Sequence, residues 1–202
     1  MSNKIIYEDK RITRSKNLLK EALISLMHTN DFKELTIKDI VECADLNRGT
    51  FYKHYQYKED LLEEIIEDVV TDLIASYREP YLGTETFEVT KLTISSIKIF
   101  EHVEKHKEYY TLIVKSNTLI GFQNRICQIL KDLALHDLYE NLPNAKMNKE
   151  LLASYHAYAI LGMIMEWIQG GFKYSSTYMA EQLFEFIMQN KGNAVYKFKR
   201  TD

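Results

Sequence analysis

The sequence predicts an all-α protein, on three observations. Turn residues are scarce: the 202 residues include only 7 Gly and 2 Pro, and a sandwich, a barrel or a doubly wound sheet needs more turn punctuation than that. Apolar residues recur three and four positions apart along most of the chain, the period of helices with a buried face. Helix-start signals precede several of these stripes, the clearest being Thr36 followed by Asp39.

The first helix is expected from about Thr13 to Met27, with Leu19, Ala22, Leu23 and Leu26 on one face and Asn30-Asp31 breaking the pattern. A second helix follows the Thr36–Asp39 capping box, with Leu35 and Ile40 placed as a hydrophobic staple. Its pattern stops at Ala44-Asp45, and Asn47 caps a short third helix. On that helix Phe51 and Tyr55 share the inner face, while Arg48 and Tyr52 share the outer one. A long fourth helix is expected over Lys58 to Arg78, with Glu59 and Asp60 complementing its dipole and a double-width apolar stripe for packing on two sides. Further helices are expected at about Glu85–Glu104, Lys107–Val114, Leu119–Leu135, Lys149–Gln169 and Ser176–Gln189, followed by a loose basic tail from Asn190 to Asp202.

Composition narrows the function classes. Cys43 and Cys127 cannot make a disulfide framework or an all-sulfur zinc site. The polar start, Met1 to Arg11, is unlike a signal peptide. The uncharged stretch Leu151 to Met165 is short for a membrane span and reads as a buried helix. The expected setting is cytoplasmic, with no membrane partner. The net charge of −3 conceals an asymmetry, because Lys10 to Lys58 holds 10 Lys+Arg against 6 Asp+Glu. A basic head on an acidic body points to an anionic partner for the head. No nucleophile elbow or Gly-rich phosphate loop is present, so no enzyme activity and no cofactor are expected.

The functional motif is the helix, three-residue turn and helix from Thr36 to Tyr55, which has the dimensions of a helix-turn-helix. The second of these helices offers small and polar groups to the outside. Arg48 can reach a guanine edge, Gly49 allows close backbone approach, and Thr50, Tyr52 and His54 can bond phosphate oxygens. The plainer reading, a helical hairpin within a bundle, leaves a short helix with two polar-aromatic faces unexplained.

The run from Thr36 to Leu62, above all Gly49-Thr50-Phe51-Tyr52, Tyr55 and Lys58-Glu59-Asp60-Leu61, resembles the head of the TetR (tetracycline-repressor-like) family over about Arg11 to Thr71. The resemblance implies a homodimeric regulator with a DNA-binding head and a dimerising, usually ligand-binding body. It implies backbone contacts for the residues at Thr36, Thr50, Tyr52, His54 and Lys58, and base contacts for Arg48 and Lys53. Lys38 and Asn47 complete the expected DNA-facing set. Asp45 stands where the family usually has Gly, and Tyr57 where Ser or Asp often caps the fourth helix. The implied division is a flexible arm over 1–10, a helix-turn-helix domain over 11–71 and a regulatory and dimerisation domain over 72–202.

The body resembles one subgroup of the family over Phe100–Tyr110, around Gly162 to Gly170 and over Ser175–Ala180, without identifying a ligand. The expected pocket wall is Phe100, Val103, Tyr110, Phe122, Ile126, Tyr155 and Trp167. These include no Lys or Arg, so the expected effector is small and mostly apolar. A DNA-binding regulator without a small ligand, controlled by a protein partner or acting constitutively, is the alternative. The expected dimer interface is Tyr158, Leu161, Ile164, Met165, Leu183, Phe184 and Ile187. The expected partners are thus a near-palindromic double-stranded operator, a second copy and a small hydrophobic ligand. His102 and His106 have the spacing to share a metal, but a solvated helix face is the favoured reading and no metal is expected.

Overall fold

The computed structural model describes residues 2–81, 92–115, 121–138 and 146–189. Among the described residues there are nine α-helices and no strand: α1 Ser2–Met27, α2 Ile37–Cys43, α3 Arg48–Tyr52, α4 Lys58–Arg78, α5 Ile99–Lys105, α6 Lys107–Lys115, α7 Phe122–Leu133, α8 Lys149–Gln169 and α9 Ser176–Gln189. The helices fall into two compact units. The first comprises Met1–Asp72 and His106–Ile126, the second Leu73–Lys105 and Cys127–Asp202. The first unit therefore contains α6 in addition to the residues expected in the head.

In the first unit, α1 packs on α2 and α6, and α2 packs on α3. Leu19 and Leu23 of α1, Ile40 of α2, Phe51 of α3 and Leu61 of α4 are completely buried. Each such side chain contributes roughly 1.5–3 kcal/mol by leaving water. The first helix starts at Ser2, not at about Thr13, so the expected arm over 1–10 is mostly helical. No Gly or Pro precedes Thr13 to stop a helix from extending N-terminally.

In the second unit α5 packs on α9, and α8 packs on the π-helical turn Ala134–Leu138 that follows α7. Arg78, the last residue of α4, donates from Nε–H and Nη2–H to the two carboxylate oxygens of Asp137 in that turn, at 2.7 and 3.2 Å. Trp167 is buried between Phe100 and Phe172, with ring centroids 5.9 and 5.0 Å away, and its Nε1–H donates to the Tyr174 carbonyl at 3.0 Å. After α8 the backbone turns left-handed at Gly171 and again at Phe172 (φ 56°). Glycine takes that conformation freely, whereas a side-chain residue there costs roughly 1–2 kcal/mol, here offset by the edge-on packing of the Phe172 ring against Trp167.

The helix expected over Glu85–Glu104 is shorter in the structure. Its first part, 85–91, lies outside the described residues, and α5 begins only at Ile99. Between them Ser96 Oγ accepts from the Thr93 N–H and donates to the Thr93 carbonyl, closing a 3-10 turn over Ile94–Ser96. Local side-chain bonding of this kind competes with a continuous helix. Residues 119–120 of the expected seventh helix and the tail from 190 onward also lie outside the described residues.

Candidate nucleic-acid interface

The helix-turn-helix is set by local chemistry at each boundary. At the start of α2, Asp39 N–H donates to Thr36 Oγ1 and Thr36 N–H donates to Asp39 Oδ2, a reciprocal capping box. Bonds from the Thr36 side chain and backbone hold the Asp39 carboxyl below its usual range. The chain leaves α2 through Asp45, which adopts a left-handed φ of 52°. Asn47 then caps α3 by accepting the Thr50 N–H on Oδ1 at 2.8 Å. The missing cap at Tyr57 is made good from inside α4, where Asp60 Oδ2 accepts the Gln56 and Tyr57 N–H groups at 2.9 and 2.8 Å.

One ion cluster braces the unit that carries α3. Glu64 on α4 accepts from Lys16 at 2.8 Å and pairs with Lys20 at 2.7 Å, both on α1, and Lys20 also binds Asp68. Burial pushes the Glu64 carboxyl up, but hydrogen bonds from the two lysines outweigh it and hold the group at about 2. For Lys20 too, burial opposes the charge, yet Asp68 and Glu64 win and raise it. The buried Tyr55 hydroxyl faces Glu64 without making a well-formed hydrogen bond. Elsewhere in this unit His106 Nε2 lies 3.0 Å from Asp72, and Arg125 pairs with Glu63 at 3.2 Å.

The expected DNA-facing residues fall into two groups, those with free donors and those whose donors are in use. Arg48, Gly49, Tyr52 and Lys53 are exposed on and just after α3, and Tyr52 is 58% exposed despite its large ring. Neither Arg48 nor Lys53 takes part in an ion pair among the described residues. Lys38 is exposed too, 3.7 Å from Glu42 one turn along α2, a contact worth little at a surface. The second group already has partners. The hydroxyl protons of Thr36 and Thr50 go to Asp39 and Asn47. His54 Nε2 lies 2.9 Å from Ser15 Oγ, and burial followed by the charge of Lys16 holds its imidazole below the usual histidine range. Lys58 donates to the carbonyls of Phe32, Leu35 and Lys33 at 2.7, 2.7 and 3.1 Å. All three ammonium protons are thereby in use, which gives Lys58 a bracing place at the α1–α2 connection that sequence spacing did not reveal.

The body residues also sort differently from expectation. Of the seven expected pocket residues, Tyr110, Phe122 and Ile126 are buried in the first unit and Phe100, Val103 and Trp167 in the second. Tyr155 is 58% exposed and is not a buried wall. Of the expected interface residues, Leu161, Ile164 and Leu183 are buried in the chain's own core, Met165, Phe184 and Ile187 are half-buried, and only Tyr158 is exposed, at 63%. The solvent face of α8 instead carries Leu151, Tyr155, Tyr158, Ala159 and Gly162, spaced along one helical stripe with no charge before Glu166. By length and composition α8 could cross a membrane. Its other side, with Ala153, Ala157, Leu161, Ile164 and Trp167, fills the interior of the second unit as a core helix does. His102 is buried, contrary to the expected solvated face.

The chain is similar to known proteins over most of its length. Residues 19–65 match the family model described as bacterial regulatory proteins, tetR family, and residues 90–189 match one described as transcriptional regulator C-terminal region. An uncharacterized HTH-type transcriptional regulator of Bacillus subtilis (strain 168), YxbF, is 22% identical over 173 residues, 86% of this chain and 44% of its own length. The chain thus spans less than half of that relative. DhaS, the HTH-type dhaKLM operon transcriptional activator of Lactococcus lactis subsp. lactis (strain IL1403), is 22% identical over 78% of this chain and 81% of its own. In fold, a TetR-family transcriptional regulator from Syntrophomonas wolfei described as putative superposes with a TM-score of 0.63 at 18% identity, covering 92% of this chain and 99% of that one.

Proposed function

Since the chain belongs to the TetR family of DNA-binding transcriptional regulators, a family of regulators and not of enzymes, we propose that it is a cytoplasmic repressor that binds a near-palindromic operator as a homodimer and is released by a small, mostly apolar ligand. The observation that carries the DNA contact is the exposed outer face of α3, where Arg48, Tyr52 and Lys53 keep their donors available. A bare helix of this size fits the major groove, and in a dimer two such helices read half-sites about 34–36 Å apart. The uncharged solvent stripe of α8, with Leu151 71% exposed, supports the dimer, because a face this apolar gains by being covered by a second copy. The small ligand is assigned to the apolar interior of the second unit around Phe100 and Trp167, where no Lys or Arg is buried among the described residues. The alternative, a regulator without a small ligand, draws support from Trp167 itself, whose ring has aromatic neighbours and whose N–H is already bonded.

Gel shift on the promoter region of the protein's own gene, with sedimentation of the free protein, tests this reading. A dimer that protects a near-palindrome, and that Tyr158→Asp converts to a weakly binding monomer, is the expected result. A wild-type monomer at micromolar concentration overturns the homodimer, and raised expression only in the presence of the protein makes it an activator. Hydrophobic compounds that change Trp167 fluorescence and release DNA are expected under the ligand-gated reading. A screen in which none does so favours the ligand-free one.

A further inference from the structure

Building on the reading that α3 faces DNA, we propose that His54 takes up a proton at Nδ1 when the head engages its operator, so that DNA affinity rises as pH falls. Ser15 has a single hydroxyl proton, and it is donated to the Ile12 carbonyl at 2.9 Å, one turn back on α1. The same oxygen lies 2.9 Å from His54 Nε2. With the Ser15 proton given to Ile12, the hydroxyl accepts from Nε2–H, and this is the tautomer proposed for the free head. Nδ1 is then an unprotonated acceptor. It has no partner among the described residues and is not one of their buried, unbonded polar atoms, so water reaches it.

A phosphate oxygen is an acceptor as well. The neutral ring in this tautomer therefore offers phosphate only a lone pair, whereas a ring protonated at Nδ1 offers a charged N–H. Protonation leaves the bond to Ser15 intact, because Nε2 remains a donor in both forms. The new contact thus forms without breaking an internal one, and the proton comes from solvent.

The surrounding charges set the direction. Lys16 from α1 and Lys53 beside His54 on the chain oppose the extra charge, Glu64 from α4 favours it, and Tyr55, against which the ring packs, stays neutral because burial raises it. In the free head burial and Lys16 prevail and hold the imidazole below its usual range. Phosphates placed at the surface of α3 add negative charge and reverse that balance. A group that binds protons more tightly in the complex must, by reciprocity, tighten the complex as pH falls. The limit is about tenfold in affinity per pH unit for each His54 that fully takes up a proton.

Operator binding followed by fluorescence anisotropy between pH 8 and pH 6, at constant salt, tests this in the full-length protein and in His54→Gln. The wild type is expected to tighten by roughly tenfold or more over the range, and His54→Gln by less than about twofold. Parallel pH profiles for the two proteins overturn the proposal, and absence of operator binding by the wild type at every pH overturns the DNA-facing reading on which it rests. Nitrogen-15 NMR of the histidine rings gives a second readout that does not depend on a variant folding. It is expected to show the Nε2–H tautomer of His54 in the free protein at pH 8 and a doubly protonated ring in the complex at pH 6.5. A ring that stays neutral in that complex also overturns it.

Discussion

Replacing Lys58 with methionine removes the ammonium and keeps the aliphatic stem, and the structure predicts that this will weaken folding more than DNA binding. Lys58 Nζ reaches the carbonyls of Phe32 and Leu35 at 2.7 Å each in partly buried positions, and that of Lys33 at 3.1 Å in an exposed one. Each of the first two bonds, made by a charged donor but reachable by water, is taken at about 1–1.5 kcal/mol, and the third at about zero because water replaces it. The ammonium also lies 4.7 Å from the Phe32 ring centroid, which adds about 0.5 kcal/mol. Lys58→Met is therefore expected to lose about 3 kcal/mol, a large share of a typical domain's stability. With its three protons held by carbonyls, the ammonium has none left for a phosphate, so the dependence of operator affinity on salt is expected to stay close to that of the wild type. If Lys58 instead neutralised a phosphate, as the family resemblance implies, the slope of log affinity against log salt would fall by about 0.9 per head. Urea unfolding followed by circular dichroism and a salt series of operator titrations measure both quantities. Wild-type stability together with a reduced salt slope in Lys58→Met would refute the bracing role.

The left-handed Asp45 predicts that Asp45→Gly raises the urea midpoint, by about 0.5 kcal/mol of stability, and that the β-branched Asp45→Val lowers it by more than 1 kcal/mol or so; a destabilised glycine variant contradicts this. Glu64, held at about 2 by Lys16 and Lys20 despite burial, contributes stability that is fully present above its unfolded value near 4.5 and is lost as pH falls through about 2. After discounting for solvent screening this amounts to about 1–2 kcal/mol, so the stability gap between wild type and Glu64→Gln is expected to close as pH drops from 5 towards 2. A gap that stays constant with pH removes the ion cluster as its cause. Arg48→Ala is expected to relax base preference at one operator position by about 1–3 kcal/mol, read by selection from randomised duplexes; an unchanged preference at every position returns Arg48 to the solvent.

The parts of the fold that were legible in the sequence are those fixed by local chemistry. The Thr36–Asp39 box, the Asn47 cap and the acid-led start of α4 gave boundaries that the structure reproduces, because each rests on contacts a few residues apart. The start of α1 was not legible, since nothing in residues 2–12 marks a stop. Thr93 and Ser96 broke an expected helix through side-chain bonds that an apolar period does not register. On α8 the sequence could not tell core from interface, because the helix is apolar on nearly all sides. Leu161 and Ile164 turned inward while Tyr155 and Tyr158 remained outside. Of the candidate interface, exposure on α3 followed from helical spacing. The occupied donors of His54 and Lys58 did not, since their partners lie on segments far away in sequence.

Photocrosslinking from α3 tests the central claim most directly. With Tyr52→p-benzoylphenylalanine the photoreactive ring projects from the exposed large hydrophobic side chain of α3, and irradiation on operator DNA is expected to yield a covalent protein–DNA product that excess unlabelled operator abolishes. The same group at Tyr155, on the solvent face of α8, is expected to give a protein–protein product and none with DNA. DNA crosslinks from Tyr155 and none from Tyr52 would contradict the assignment of α3 as the DNA-reading helix.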